Sequence, residues 1–97
     1  NYCDYNQDII DSVMIYDNNY QRTVDDCGDW CMQVDAADKS IPRDSDLCCD
    51  YEMWEEGTYE CSLYRGSVVV PNPYYGTDDE NMFRSMTFQS KEWLPEE

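Results

Sequence analysis

The six cysteines are the sequence feature that most constrains how this chain can fold. They occur in a chain of 97 residues, at Cys3, Cys27, Cys31, Cys48, Cys49 and Cys61. A folded chain of this size buries only about 60–70% of the surface that its unfolded form exposes, so a hydrophobic core alone is marginal. An even number of cysteines in a short chain is typical of a disulfide framework from an oxidising compartment. We therefore expect one disulfide-stabilised domain of an extracellular protein, secreted and with its signal peptide already removed.

Zinc binding is the alternative interpretation of the same cysteines. Cys27 and Cys31, together with the adjacent Cys48 and Cys49, could bring four thiolates close to one another. No Cys-x-x-Cys pair is present, however, and adjacent cysteines chelate a single ion poorly. Histidine is absent, which excludes His-ligated metal sites and the Ser–His–Asp and Cys–His catalytic arrangements. We expect no cofactor and no specific metal site.

The charge of the chain restricts the classes of partner that it can bind. There are 22 acidic and 6 basic residues, and the net charge is −16. Such a chain repels nucleic acids and anionic membranes, so we expect neither as a partner. Carboxylates at Asp25-Asp26, Asp44–Asp46 and Asp78–Glu80 could bind calcium, but none of these segments matches an EF-hand loop. They predict a solvated acidic surface with weak, diffuse calcium binding.

Short strands and one helix follow a polar N-terminal arm, which we place at residues 1–11. The apolar run at 12–16 predicts a buried strand, and an N-terminal capping box at Thr23–Asp26 predicts a helix followed by a loop from residue 35. Further strands are predicted over 48–54, 59–64, 67–70 and 81–89, with a hairpin turn at 55–58. Residues 12–97 are thus predicted to form a small α+β domain, one helix packed on an antiparallel sheet, with a short acidic tail.

The order of the cysteines along the chain is more informative than their number. A helix with Cys-x-x-x-Cys is followed by a strand with Cys-x-x-Tyr and, after a hairpin, by Cys-x-Leu; the residues are Cys27, Cys31, Cys48, Tyr51, Cys61 and Leu63. Over residues 11–66 this series resembles the PAN/apple superfamily, in which two helix cysteines are disulfide-bonded to two adjacent strands of an antiparallel sheet. The chain departs from apple domains proper, whose first and last cysteines tie the termini together, because no cysteine follows Cys61.

The resemblance implies bonds from the helix to the hairpin strands. We expect Cys27–Cys61 with Cys31–Cys48, and the partner of Cys27 stays open between Cys61 and Cys48. Adjacent cysteines of a strand point to opposite sides, so Cys49 is assigned to the far face, where it would bond Cys3 of the arm. The alternative is that Cys3 or Cys49 bonds another subunit.

Aromatic residues supply the candidate binding surface. The chain has nine tyrosines and three tryptophans. Side chains of these types offer a large amphipathic contact area and suit both protein interfaces and stacking on sugar rings. We assign a binding surface to aromatic residues predicted in loops or at outward strand positions: Trp54, Tyr64, Tyr74 and Tyr75. Tyr51 is assigned to an outward strand position as well.

The expected function is protein–protein contact and not catalysis. Carboxylate pairs are too abundant here to indicate an active site, and Ser90-Lys91 lies in no catalytic motif. We expect a structural building block of an extracellular filament or matrix, which self-associates through its arm, sheet edges and tyrosines. The first alternative is a carbohydrate- or receptor-binding module, which the resemblance equally allows. The second is an acidic inhibitor or toxin-like protein whose association with a basic partner would weaken with salt.

Overall fold

The fold is one α-helix on a four-stranded antiparallel sheet, with a two-stranded ribbon on the opposite side. The computed structural model describes residues 2–55, 57–71 and 83–94. The elements in chain order are β1 (Tyr2–Cys3), β2 (Asp8–Tyr16), α1 (Tyr20–Ala37), β3 (Asp46–Glu55), β4 (Thr58–Arg65), β5 (Val69–Val70) and β6 (Phe83–Gln89). The strand order of the sheet is β2-β4-β3-β6, and β1 pairs with β5. The predicted α+β class, with one helix packed on an antiparallel sheet and stapled by disulfides, is confirmed.

The β3–β4 hairpin forms the centre of the sheet. Its turn contains Gly57 at φ 81°, in the left-handed region that favours glycine. The side chain of Asn18 fills the space beside this glycine, so that a Cβ there would overlap the Asn18 amide oxygen. The hairpin register places Cys61 opposite Tyr51. Both side chains face α1, as do those at every second position along the two strands, such as Cys49 and Leu63. We call this face of the sheet the helix side.

The helix begins three residues before its predicted start. Asn19 is the N-cap, and its side-chain oxygen accepts the backbone N–H of Arg22 at 3.0 Å. The hydroxyl of Thr23 instead donates to the carbonyl of Asn19 at 3.0 Å, so the predicted capping box at Thr23 was wrong. Asparagine is among the best N-cap residues because its short side chain reaches the first free donors of the helix. The helix also continues to Ala37, where a loop was predicted from residue 35.

Both faces of the sheet are covered, but unequally. The larger core lies between α1 and the helix side, and its buried members are Cys27, Cys31, Ile41, Leu47, Cys49, Tyr51, Tyr59, Cys61 and Leu63. A second buried cluster, on the opposite face beneath β1, consists of Cys3, Cys48 and Tyr64. We call this face the arm side. The helix packs mainly against β3 and β4, which leaves the edge strands β2 and β6 less protected.

Strand β2 is longer than predicted. It begins at Asp8 instead of residue 12, because Asp8 and Ile9 already pair with Arg65 and Tyr64 of β4. The segment before it therefore comprises residues 2–7 of the described chain. None of the helical segments among the described residues is long and apolar enough to cross a membrane.

Candidate functional site

Three disulfides staple the helix and the arm to the central hairpin. They are Cys27–Cys61, Cys31–Cys49 and Cys3–Cys48. The structure agrees with the expected Cys27–Cys61 bond, whereas the expected pairs Cys31–Cys48 and Cys3–Cys49 were wrong. The two adjacent cysteines do point to opposite sides of β3. Cys49 is the one on the helix side, however, and Cys48 lies on the arm side.

A β-bulge explains this exchange. The β3–β4 register shifts between Met53 and Glu55. If the pairing of Glu55 with Thr58 continued without the shift, Glu52 would lie opposite Cys61 on the helix side. Cys48, four residues before Glu52, would then be on the helix side as well. The extra residue of the bulge changes the parity of β3, because a slip of one residue turns every side chain of a strand to the other face.

Four of the six sulfur atoms form one cluster in the larger core. The sulfurs of Cys27, Cys31, Cys49 and Cys61 all lie within 4.8 Å of one another. Between the two bonds, Cys27 Sγ is 3.8 Å from Cys49 Sγ, and Cys31 Sγ is 3.9 Å from Cys61 Sγ. A tetrathiolate metal site at this position would require reduction of both disulfides, because only thiolates ligate zinc. In the oxidised protein the cluster anchors α1 to two neighbouring strands.

The N-terminal arm is held within its own chain. The Cys3–Cys48 disulfide joins it to β3, and the ring of Tyr5 lies 6.5 Å from that of Tyr64, centroid to centroid. The side chain of Gln7 exchanges two hydrogen bonds with the backbone of Val68, at 2.9 and 2.8 Å. The arm therefore occupies the arm side of its own sheet.

The predicted aromatic surface does not assemble as expected. Tyr64 is only 6% exposed beneath the arm, and Tyr51 is buried in the larger core. Their assignment to outward positions was wrong, because the helix and the arm cover both faces of the hairpin. Trp54 is 64% exposed, as predicted. Tyr74 and Tyr75 lie outside the described residues.

Asp50 is a buried carboxyl on the arm side. It is 6% exposed, and its carboxylate accepts the backbone N–H of Cys3 at 3.0 Å. Burial raises the pKa of Asp50 to about 7, despite the lowering effect of that hydrogen bond, and the nearby Glu52 and Glu60 add to the rise. Glu52 lies opposite Glu60 across the hairpin. Burial, and then the charge of Glu60, raises the pKa of Glu52 as well.

The Ser90-Lys91 pair has a structural role. Ser90 is completely buried, and its hydroxyl donates to Asp35, a fully buried carboxylate on α1. The backbone N–H of Lys91 donates to the same carboxylate at 2.7 Å, and its ammonium group lies 3.8 Å away. This network fastens the C-terminal part of the helix to the segment that follows β6. Apart from the four sulfurs, no group of three or more ligand residues within the described segments lies close enough to hold a metal ion.

Among the residues that the structure describes, several exposed apolar side chains lie on β2, which the sequence predicted as a buried strand. Its exposed large side chains are Ile9, Val13, Met14 and Tyr16. The misinterpretation follows from strand order: β2 is an edge strand, and α1 lies over its neighbours. At the opposite edge, a groove of about 210 Å³ lies between α1 and β6 and is lined in part by Val24, Gly28 and Met86.

Comparisons with known proteins give no relative for this chain. No protein-family model, curated protein or solved structure matches it.

Proposed function

We propose that this chain is a secreted, non-enzymatic interaction module that self-associates as a building block of an extracellular filament or matrix. The observation that carries the proposal is the exposed apolar edge strand β2. An edge strand with apolar side chains and unpaired backbone groups is a ready template for another strand. The two charged residues of β2, Asp8 and Asp11, lie in its first half, so the second half, residues 12–16, has no charged side chain of its own.

The disulfides support a role as a rigid unit. Each closes a loop in the unfolded chain, from 18 residues for Cys31–Cys49 to 45 for Cys3–Cys48. In the chain-entropy model these closures contribute about 3 and about 4 kcal/mol. A surface held in this way loses little freedom when it binds. Three disulfides are also the reason for proposing an extracellular location.

We also propose that the module is PAN/apple-like, and the disulfides between the helix and the hairpin support this. Two cysteines of α1 bond the adjacent strands β4 and β3, through Cys27–Cys61 and Cys31–Cys49. The remaining bond, Cys3–Cys48, joins the arm to the sheet and does not correspond to the terminal disulfide of apple domains proper. The proposal that the module is non-enzymatic is supported by the absence of histidine and by the burial of Ser90.

Negative-stain microscopy and light scattering of the purified protein at physiological ionic strength, with and without calcium, test self-association. We expect assemblies larger than a dimer. Met14→Glu, on β2, should reduce them, whereas the matched control Val68→Glu adds the same charge at an exposed site that belongs to neither β2 nor β6. Monodisperse monomers under all conditions would contradict the proposal.

A carbohydrate-binding role is the second candidate, and it rests on two exposed aromatic side chains. Trp54 and Tyr16 are both exposed near the turn of the β3–β4 hairpin. Tyr16 pairs with Thr58, the first residue of β4, and Glu55, which follows Trp54, pairs with Thr58 from the other side. Exposed aromatic rings can stack on sugar rings. A glycan array with the wild type, Trp54→Ala and Tyr16→Ala tests this role. Binding that is absent, or unaffected by both substitutions, would exclude it.

A further inference from the structure

We infer that copies of this chain join edge to edge, with β2 of one copy pairing antiparallel with β6 of the next. The inference rests on the proposed self-association and names the surfaces that carry it. Both strands end the sheet in the described part of the chain, where only β4 pairs with β2 and only β3 with β6.

Strand direction makes this contact open-ended. Neighbouring strands of the sheet are all antiparallel, so β2 and β6 run in opposite directions. A second copy that is displaced along the sheet in the same orientation therefore presents its β2 antiparallel to β6 of the first, with both helices on the same side. Every added copy leaves one β2 edge and one β6 edge unpaired. A contact between two different surfaces that does not close builds a filament.

Backbone donors point outward at both edges. The N–H of Ser12 donates to the carboxylate of Asp11 at 2.8 Å, and the N–H of Gln89 donates to the carboxylate of Glu92 at 3.0 Å. These two donors therefore face away from β4 and β3. Because N–H directions alternate along an antiparallel ladder, the N–H groups two residues away also point outward. These groups belong to Met14 on β2 and to Thr87 on β6.

The charges of the two edges are complementary. Strand β2 contains Asp8 and Asp11 and no basic residue, whereas β6 contains Arg84 and no acidic residue. Pairing of β2 with a second β2 would instead bring four aspartates together. This difference favours contact between β2 and β6 over contact between two copies of β2.

One exposed apolar side chain of each edge lies on the helix side. Val13 lies opposite Cys61 and Met86 lies opposite Cys49, so both are on the helix side. Val13 is 36% exposed and Met86 is 44% exposed. In a continued sheet the second copy's β2 would cover Met86 and the groove beside α1.

Two proline variants test the inference because each removes one outward donor. Met14→Pro blocks the β2 edge and Thr87→Pro blocks the β6 edge, and the bonds within the sheet remain because proline is tolerated where the N–H faces away from the ladder. We expect each variant alone to sediment as a monomer. An equimolar mixture should form a one-to-one heterodimer, since Thr87→Pro retains β2 and Met14→Pro retains β6.

Each other outcome of this experiment overturns a specific statement. Dimers of Thr87→Pro alone would indicate β2–β2 contact, and dimers of Met14→Pro alone would indicate β6–β6 contact; either overturns the inference. Filaments of both variants would overturn edge pairing and leave self-association intact. A monomeric wild type would overturn the proposed function as well.

A charge exchange decides the question if the proline variants do not fold. Asp11 and Arg84 both lie on the helix side. They are diagonal neighbours in the register that places Val13 of one copy opposite Arg84 of the next, and this register also keeps Met14 and Thr87 inside the contact. Asp11→Arg and Arg84→Asp should each weaken self-association at least tenfold, because each places like charges side by side in that register. The double variant should restore it to within about threefold of the wild type. Single variants that assemble like the wild type, or a double variant as weak as the singles, would overturn the inference.

Discussion

Asp50 places a titrating carboxyl inside the smaller, arm-side core. Its pKa is raised to about 7 by burial, compared with about 4 in an unfolded chain. Between these two pH values the folded protein retains a proton that the unfolded chain has lost. By linkage, this group lowers the free energy of unfolding by about 1.4 kcal/mol per pH unit as the pH rises through that window. Its stabilising effect is complete below pH 4 and is lost above pH 7, the reverse of a salt-bridged aspartate.

Asp50→Asn should remove this pH dependence. The amide oxygen can still accept the N–H of Cys3, but the side chain no longer ionises. We expect a flatter stability profile between pH 4 and 7 and a variant more stable than the wild type at pH 8 by at least about 1 kcal/mol. Urea unfolding with intact disulfides measures both. Asp46→Asn, on the same strand and exposed, is the control for removing one charge, and profiles of Asp50→Asn and wild type that run parallel would refute the assignment.

Asp35 is a second buried carboxylate whose contribution is testable. Asp35→Ala leaves the Ser90 hydroxyl and the Lys91 N–H without their acceptor. We expect the free energy of unfolding to fall by about 3 kcal/mol, as for loss of one partner from a buried polar network. Asp29→Ala, at an exposed position of the same helix, should change it by less than about 0.5 kcal/mol. Equal losses for the two variants would contradict the role given to Asp35.

The adjacent cysteines show where prediction from sequence ends at this scale. Side-chain alternation was sufficient to place Cys48 and Cys49 on opposite faces. Which of them faced the helix depended on the bulge between Met53 and Glu55, and a bulge here has no proline or glycine to mark it. Tyr64 could not be placed for a related reason, since it is buried by an arm more than 55 residues earlier in the chain.

At the level of elements, the presence of the helix and of the strands was easier to predict than their end residues or the exposure of their side chains. The helix and the hairpin were predicted from local patterns, because helix periodicity and turn chemistry act over a few residues. Strand β2 was predicted as a strand, but its apolar composition suggested burial. Whether such a strand is central or at an edge depends on the pairing of distant segments. That information determines the candidate interaction surface, which is why the sequence alone did not indicate it.

Gly28 and Gly57 differ in whether the structure can accept a side chain at their positions. Gly28 lies inside α1 with nothing within 4 Å of a Cβ placed on it, whereas Gly57 has φ 81° and Asn18 against it. Gly28→Ala should raise the free energy of unfolding by up to about 1 kcal/mol through helix propensity. Gly57→Ala should lower it by more than 1 kcal/mol, because the left-handed conformation and the contact both oppose a Cβ. Urea unfolding measures both, and a neutral Gly57→Ala would contradict the turn geometry.

For the whole molecule, charge opposes the association that the sheet edges favour. A net charge of −16 makes copies repel one another at long range. Added salt shortens the range of this repulsion, to about 8 Å at physiological ionic strength. Self-association should therefore strengthen as salt rises from about 10 to 150 mM, a range over which the Debye length falls from about 30 to about 8 Å. An acidic inhibitor bound to a basic partner would show the opposite dependence.

Sedimentation velocity of the wild type over a dilution series tests the central claim most directly, because it distinguishes open assembly from closed dimers and from monomers. The protomer has a mass of 11.5 kDa. At 150 mM salt we expect the weight-average sedimentation coefficient to keep rising with concentration and to pass the value of a dimer. A coefficient that stays at the monomer value, or that levels off at the dimer, would contradict a building block that joins β2 to β6.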